Sequence, residues 1–125
     1  MLIYIAGALS NSGEDIERSN SKVVTDYIKN IHKMCQVATA VRKAGHFPYV
    51  PGLDLLLGLS CGIFEEEDYR GIGMAFLEVC DLILVISDST GVRREVAKAE
   101  ELGIPVEYLN KGANVAKVLR PRIQS

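Results

Sequence analysis

The chain has 125 residues, of which 48% are hydrophobic and 24% are charged, a mixture typical of one globular domain over residues 1–125. Its 14 basic and 16 acidic residues leave a net charge of −2 with no basic stripe, which disfavours nucleic acid as a partner. Its apolar runs are too short to span a bilayer, and the chain does not open with a signal-like segment, so we expect a soluble cytoplasmic protein with no membrane partner. The cysteines Cys35, Cys61 and Cys80 are too widely spaced for a disulfide framework or a metal site, and we expect no metal or other cofactor.

The first half of the chain alternates between strand-like and helical patterns. Residues 2–7 form a short apolar run that predicts a buried strand, and the Ser-, Asn- and Gly-rich segment 8–21 predicts a loop. Helical periodicity covers about residues 22–44, with Gly45 as a C-terminal stop. Residues 46–51 predict a strand with prolines at its margins, as at a sheet edge. The leucines of the apolar connection that follows indicate core packing or, alternatively, a subunit contact.

The second half repeats this alternation. Residues 65–80 predict a helix with an acidic first turn, residues 81–87 a strand buried on both faces, and a further helix follows the polar turn after Ile86. A strand at 105–109 and a last helix around 114–119 complete the pattern. We therefore predict an α/β three-layer sandwich: a parallel, flavodoxin- or Rossmann-like sheet of four or five strands with helices on both faces. Ligands of such sheets bind at the carboxyl ends of the strands, which points to the loops after Gly7 and Ile86.

One acidic side chain of the predicted helix after Ile86 points the wrong way for a solvated residue. With a turn of about 100° per residue and Val92 at zero, Val96 lies at about 40°, Ala99 at about −20° and Leu102 at about −80°. By the same arithmetic, Glu95 lies at about −60°. Glu95 therefore falls within the apolar arc that faces the protein. A carboxylate turned toward the core of a soluble domain indicates either catalysis or ligand binding, or a contact with the helix dipole.

Four segments in this order resemble the nucleoside 2-deoxyribosyltransferase superfamily, which includes deoxynucleoside monophosphate N-glycosidases. They are "IYIAG", "RKAGHFPYVP", "CDLILVI" and "STGVRREVAKAEELGIPV". The resemblance covers roughly residues 2–108, and its most specific part is the spacing Ser89-x-Gly91-Val92-x-x-Glu95.

The resemblance implies an enzyme that acts on a small-molecule nucleoside or nucleotide and assembles as a homodimer or homotetramer. Glu95 would be the nucleophile that attacks C1′ of the sugar, and Tyr4 would hydrogen-bond and orient its carboxylate. Six further positions would hold the 5′ side of the sugar: Gly7, Ser10, Asn11, Ser12, Ser89 and Gly91.

The chain departs from the family pattern at two positions. Gly73 stands where the family has an aspartate that handles the proton of the leaving base. Asp68 and Glu67, more than a turn earlier, would replace that acid only if the helix shifts. Asp88 and Asp54 are other possible acids that the sequence does not place. The nucleotide-hydrolysing branch has an arginine in its first loop where this chain has Ser10, which weakens the case for a 5′-phosphate.

Two other functions remain open from the sequence. The protein is alternatively a non-catalytic binding protein for a nucleotide or a nucleoside derivative, which has lost the acid at Gly73. It is alternatively a subunit or scaffold that associates through the segment "LDLLLGL". Some of these residues also have purely structural explanations. Tyr4 would be a buried strand tyrosine, Ser89 and Thr90 would be helix caps, and His46 would be a packed histidine.

Overall fold

A parallel sheet of four strands lies at the centre of the computed structural model, which describes residues 1–9, 20–62, 64–110 and 113–123. The strands are β1 (Leu2–Ala6), β2 (Phe47–Tyr49), β3 (Leu82–Val85) and β4 (Val106–Tyr108), in the order β2-β1-β3-β4. All three neighbouring pairs are parallel. β2 lies at an edge of the sheet, as its prolines predicted; Pro48 is the middle residue of the strand and Pro51 follows it.

In the described ranges, five helices connect these strands and follow the last one. They are α1 (Asn20–Lys43), α2 (Asp54–Cys61), α3 (Glu66–Val79), α4 (Thr90–Leu102) and α5 (Val115–Ile123), and a short 3-10 turn (Pro51–Leu53) precedes α2. The predicted three-layer α/β architecture is confirmed, with a sheet of four strands among the described residues.

The two faces of the sheet carry separate apolar cores, because successive strand residues point to opposite sides. Ile3, Ile5, Leu82 and Leu84 pack with side chains of α1 and α5. Tyr4, Ala6, Ile83 and Val85 pack with side chains of α3 and α4. Tyr4 thus lies on the face that α4 covers, which is the face toward which Glu95 was predicted to point.

The loops after β1 and β3 meet at the carboxyl edge of the sheet, where the order of the strands reverses. The backbone N–H of Ala8 donates to Oγ of Ser87 at 2.7 Å, and the N–H of Ile86 donates to the carbonyl of Ala6 at 2.9 Å. A Cβ on Gly7 would lie 2.9 Å from Cγ1 of Ile86, so only glycine fits without a shift of that side chain. The crevice predicted between these two loops is therefore the place where they touch.

Three leucines are more exposed than the sequence pattern indicated. Leu53 and Leu57, in the connection predicted to pack in the core, are 47% and 48% exposed. The prediction of core packing is wrong for these two residues, since they lie on the outer side of a short turn and a short helix. Leu102, which the helical periodicity placed within the apolar arc, is 43% exposed because it is the last residue of α4. None of the helices in the described part of the chain is long and apolar enough to cross a membrane.

Candidate functional site

Glu95 points inward from α4. The helix begins at Thr90 after an N-cap at Ser89, whose Oγ accepts the N–H of Val92 at 3.1 Å. Val92 and Ala99 mark the buried side of α4, being 2% and 0% exposed. The Oε2 atom of Glu95 is buried on that side and has no hydrogen-bond partner among the described residues. The predicted inward orientation is confirmed, and the described part of the chain leaves one oxygen of the carboxylate unpaired.

Tyr4 of β1 contacts this carboxylate. Its side chain is buried, and its hydroxyl donates a hydrogen bond to Glu95. Burial raises the pKa of Glu95 to about 7, and the hydrogen bond from Tyr4 acts in the opposite direction. Burial and the negative charge of Glu95 together raise the pKa of Tyr4 far above its usual range, so Tyr4 stays a neutral donor. The pair thus holds a carboxylate that titrates near neutral pH.

A second tyrosine and a second carboxylate lie next to this pair. Tyr49 is the register partner of Tyr4 across β1 and β2, with ring centroids 5.4 Å apart, and it stacks on Phe76 at 4.4 Å. Its hydroxyl donates to Oδ2 of Asp54 at 2.5 Å. Burial and this hydrogen bond raise the pKa of Tyr49 well above its usual range. The site therefore contains two tyrosines, each of which donates a hydrogen bond to a carboxylate.

Gly73 faces Tyr4 from α3. A Cβ at this position would lie 3.1 Å from the hydroxyl oxygen of Tyr4, tighter than an ordinary van der Waals contact. Because the glycine lacks a side chain, α3 passes close to β1 and Tyr4 keeps its bond to Glu95. An aspartate at 73 would need Tyr4 to move.

Comparison of the sequence with models of known families gives no match, and comparison with curated proteins gives none either. Comparison with solved structures gives a 2-deoxyribosyltransferase from the psychrotolerant bacterium Bacillus psychrosaccharolyticus, described as a biocatalyst for the synthesis of nucleosides. The TM-score is 0.59 at 21% identity, over 90% of this chain and 75% of that chain. This chain has the fold of a 2-deoxyribosyltransferase. The fold that the sequence resemblance implied is thereby confirmed.

Within this 2-deoxyribosyltransferase fold, Asp68 does not lie at the Glu95–Tyr4 pair. Its exposed carboxylate accepts the N–H of Glu65 at 2.7 Å and completes a capping box at the start of α3. Asp68 precedes Gly73 by five residues, which is about 7.5 Å along a helix and about 140° around it. The catalytic role of Asp68 stays a prediction that its contacts do not support.

The residues predicted to hold the 5′ side of the sugar are only partly described. Gly7, Ser89 and Gly91 lie at the carboxyl edge of the sheet, where the loops after β1 and β3 meet. The hydroxyl of Ser89 caps α4, and Gly91 is exposed, with only Oγ of Ser89 near its missing Cβ at 3.7 Å. Ser10, Asn11 and Ser12 lie outside the described residues.

A cavity of about 390 Å³ opens at the carboxyl ends of β3 and β4. Glu95 is not among its lining residues, which include Ser87, Tyr108 and Asn110. Two further lining residues, Asp88 and Arg93, form an exposed ion pair at 2.7 Å. This cavity is therefore distinct from the Glu95–Tyr4 pair. Among the described residues, His, Cys, Asp and Glu side chains do not form a group of three able to hold a metal ion.

Sequence reasoning missed Tyr49 and did not place Asp54. Tyr49 ends β2 and Asp54 begins α2, five residues later. The signal was present in part, because a polar ring at the carboxyl end of a strand next to β1 reaches the predicted crevice. The strand register that places Tyr49 opposite Tyr4 could not be predicted from the sequence of the two strands.

Proposed function

We propose that the protein cleaves or exchanges the N-glycosidic bond of a nucleoside or nucleotide, as an N-glycosidase or a 2-deoxyribosyltransferase, with Glu95 as the nucleophile. The observation that carries the proposal is the inward carboxylate of Glu95, which is bonded to Tyr4 and whose Oε2 is buried without a hydrogen-bond partner among the described residues. Its setting supports the same reading, since the fold is that of a nucleoside-processing enzyme.

The chemistry follows that of retaining glycosidases. The ionised carboxylate forms a bond to C1′ of the sugar, the C1′–N bond breaks, and its electron pair leaves with the base. Water or a second base then attacks C1′ and releases the carboxylate. Tyr4 would keep the attacking oxygen in place through its hydrogen bond to Glu95. Such an oriented nucleophile removes much of the entropic barrier to attack.

The sugar would lie across the carboxyl edge of the sheet. We place its 5′ side against Gly7, Ser89 and Gly91 and the adjoining loop residues Ser10, Asn11 and Ser12. Support comes from the hydrogen bond between Ala8 and Ser87, which brings the loops after β1 and β3 together. Backbone N–H groups at the start of α4 suit a hydroxyl or a phosphate group.

Location and assembly belong to the same proposal. Cys35, Cys61 and Cys80 are all free thiols, which suits the reducing cytoplasm. A homodimer or homotetramer would cover exposed apolar side chains such as Leu53 and Leu57. Sedimentation at micromolar concentration measures this directly, and a strict monomer would contradict it.

The test of the function is the release of free base. The protein is incubated with the common deoxynucleosides, ribonucleosides and their 5′-monophosphates, with and without a second base, and the products are separated by chromatography. We expect base release from at least one substrate. Stabilisation of the fold by a nucleotide without any release would instead favour the non-catalytic binding protein.

The pH dependence of turnover provides a sharper prediction. Because Glu95 attacks only when ionised and its pKa is about 7, the acidic limb of the kcat/KM profile should rise with pH, with its midpoint near that value. The hydrogen bond from Tyr4 lowers the pKa of Glu95, so Tyr4→Phe should shift the profile to higher pH. A rise of about one pH unit would lower the ionised fraction of Glu95, and with it the activity, by about 5-fold at pH 7.

The profile is measured as kcat/KM from about pH 5.5 to about pH 9 for both proteins. Tyr108→Phe is the matched control, since Tyr108 is 59% exposed on β4, and it should leave the profile unchanged. A profile that is flat across this range, or the same in Tyr4→Phe, would show that Glu95 does not titrate in the reaction.

A further inference from the structure

We propose that Asp54 is the acid that protonates the leaving base, and that Tyr49 positions its carboxyl group. The inference rests on the proposed function and assigns the proton that the first step requires. An N-glycosidic bond breaks more readily when the departing base receives a proton, because the base then leaves as a neutral molecule. Glu95 cannot supply that proton, since it must be ionised to attack.

The path of the chain brings Asp54 to the site. Tyr49 is the last residue of β2, and the 3-10 turn Pro51–Leu53 connects it to α2, which begins at Asp54. Oδ2 of Asp54 accepts the hydroxyl of Tyr49 at 2.5 Å. The Tyr49 ring is itself fixed between Tyr4 and Phe76. Asp54 is therefore held by a side chain that is packed on two sides.

The two carboxylates act on one pair of tyrosines. The charge of Asp54 contributes to raising the pKa of Tyr4, and the charge of Glu95 contributes to raising the pKa of Tyr49. Each acid is therefore close enough to affect the pKa of the tyrosine that the other acid binds. Two carboxyl groups on either side of the scissile bond is the arrangement that glycosidic cleavage uses, one as nucleophile and the other as acid.

The other aspartates of the described residues are engaged elsewhere. Asp88 pairs with Arg93 in solvent, and Asp68 caps the start of α3. Two more are held at other places in the fold: Asp26 by Lys22 on α1, and Asp81 by the N–H of Leu2 at the amino edge of the sheet. Among the described aspartates, Asp54 is therefore the one that contacts the tyrosine pair.

The proton transfer balances as follows. Glu95 forms a bond to C1′, the C1′–N bond breaks, and its electron pair passes to the base while the base takes the proton of the Asp54 carboxyl group. Asp54 is left ionised, and the hydroxyl of Tyr49 stabilises that charge by its hydrogen bond. In the second step, water gives a proton back to Asp54 as it attacks C1′ and frees Glu95.

The test compares a purine deoxynucleoside that the wild type cleaves with its N7-methylated form. The methylated base already carries a positive charge and leaves as a neutral molecule without a proton. Asp54→Asn should lose about 10²- to 10⁴-fold in kcat on the ordinary substrate and less than about 3-fold on the methylated one. Tyr49→Phe should show the same selectivity with a smaller loss, because it removes only the group that holds Asp54.

The matched control is Asp81→Asn, an exposed aspartate at the amino edge of the sheet, which should keep both activities. Asparagine keeps an oxygen to accept the Tyr49 hydroxyl, and a thermal melt checks that Asp54→Asn is folded. Equal losses on both substrates, or no loss on either, would overturn the assignment of Asp54. If the wild type releases neither base, the proposed function itself fails and the assignment falls with it.

Discussion

Glu95→Gln should abolish turnover and leave the fold intact. The amide matches the carboxylate in shape and keeps an oxygen for the hydroxyl of Tyr4, but it is a poor nucleophile and carries no charge to stabilise an oxocarbenium-like centre. Loss of a covalent nucleophile removes the step on which the others depend, so we expect base release to fall by about 10⁴-fold or more.

The measurement is the initial rate of base release, with far-UV circular dichroism to verify the fold. Glu101→Gln is the matched control: it lies on the same helix, is exposed, and forms only a 3.9 Å ion pair with Lys98. It should keep wild-type activity. Turnover by Glu95→Gln at more than a few per cent of the wild-type rate would remove Glu95 from the mechanism.

The same substitution should stabilise the protein at alkaline pH. The pKa of Glu95 is about 7 in the folded protein against an ordinary value of 4.5. The folded state therefore favours the protonated form, whose stabilising contribution is complete below about pH 4.5 and is lost as the pH rises through 7. A shift of this size corresponds to about 3 kcal/mol of unfolding free energy, and glutamine, which does not ionise, avoids that loss.

Urea denaturation of both proteins at about pH 5 and about pH 8 measures this difference. We expect the two proteins to be nearly equal in unfolding free energy at the lower pH, and Glu95→Gln to be more stable by about 2–3 kcal/mol at the higher pH. Glu101→Gln should show no comparable gain, because its carboxylate is exposed. If the difference in unfolding free energy between the two proteins is the same at both pH values, the ionised form of Glu95 is not buried in the folded protein.

The fold and the inward orientation of Glu95 could be predicted from the sequence because both depend on local periodicity. The continuous apolar run around Leu82–Val85 indicated a strand buried on two faces, and α3 and α4 cover one of those faces while α1 and α5 cover the other. The angular position of Glu95 relative to Val92 and Ala99 follows from helix geometry alone. Its inward orientation could therefore be predicted before any packing was known.

The position of the Asp54 carboxylate could not be predicted from the sequence, because it depends on contacts between secondary-structure elements. Tyr49 contacts Tyr4 because of the register of β1 and β2, and Asp54 contacts Tyr49 from the start of α2, across the 3-10 turn that joins the two elements. Asp68 attracted attention through its closeness in sequence to Gly73. Its carboxylate instead forms a capping box with Glu65. The sequence did not indicate this box because the N-cap residue is a glutamate rather than the usual Ser or Thr.

The most direct test of the account is to trap the sugar on the enzyme. The protein is mixed with a deoxynucleoside that it cleaves, quenched in acid within the first turnovers, digested, and examined by mass spectrometry. We expect the peptide that contains Glu95 to gain the mass of one deoxyribosyl group, with fragmentation assigning the ester to that side chain. Base release accompanied by an adduct on a different residue would contradict the assignment of Glu95 as the nucleophile.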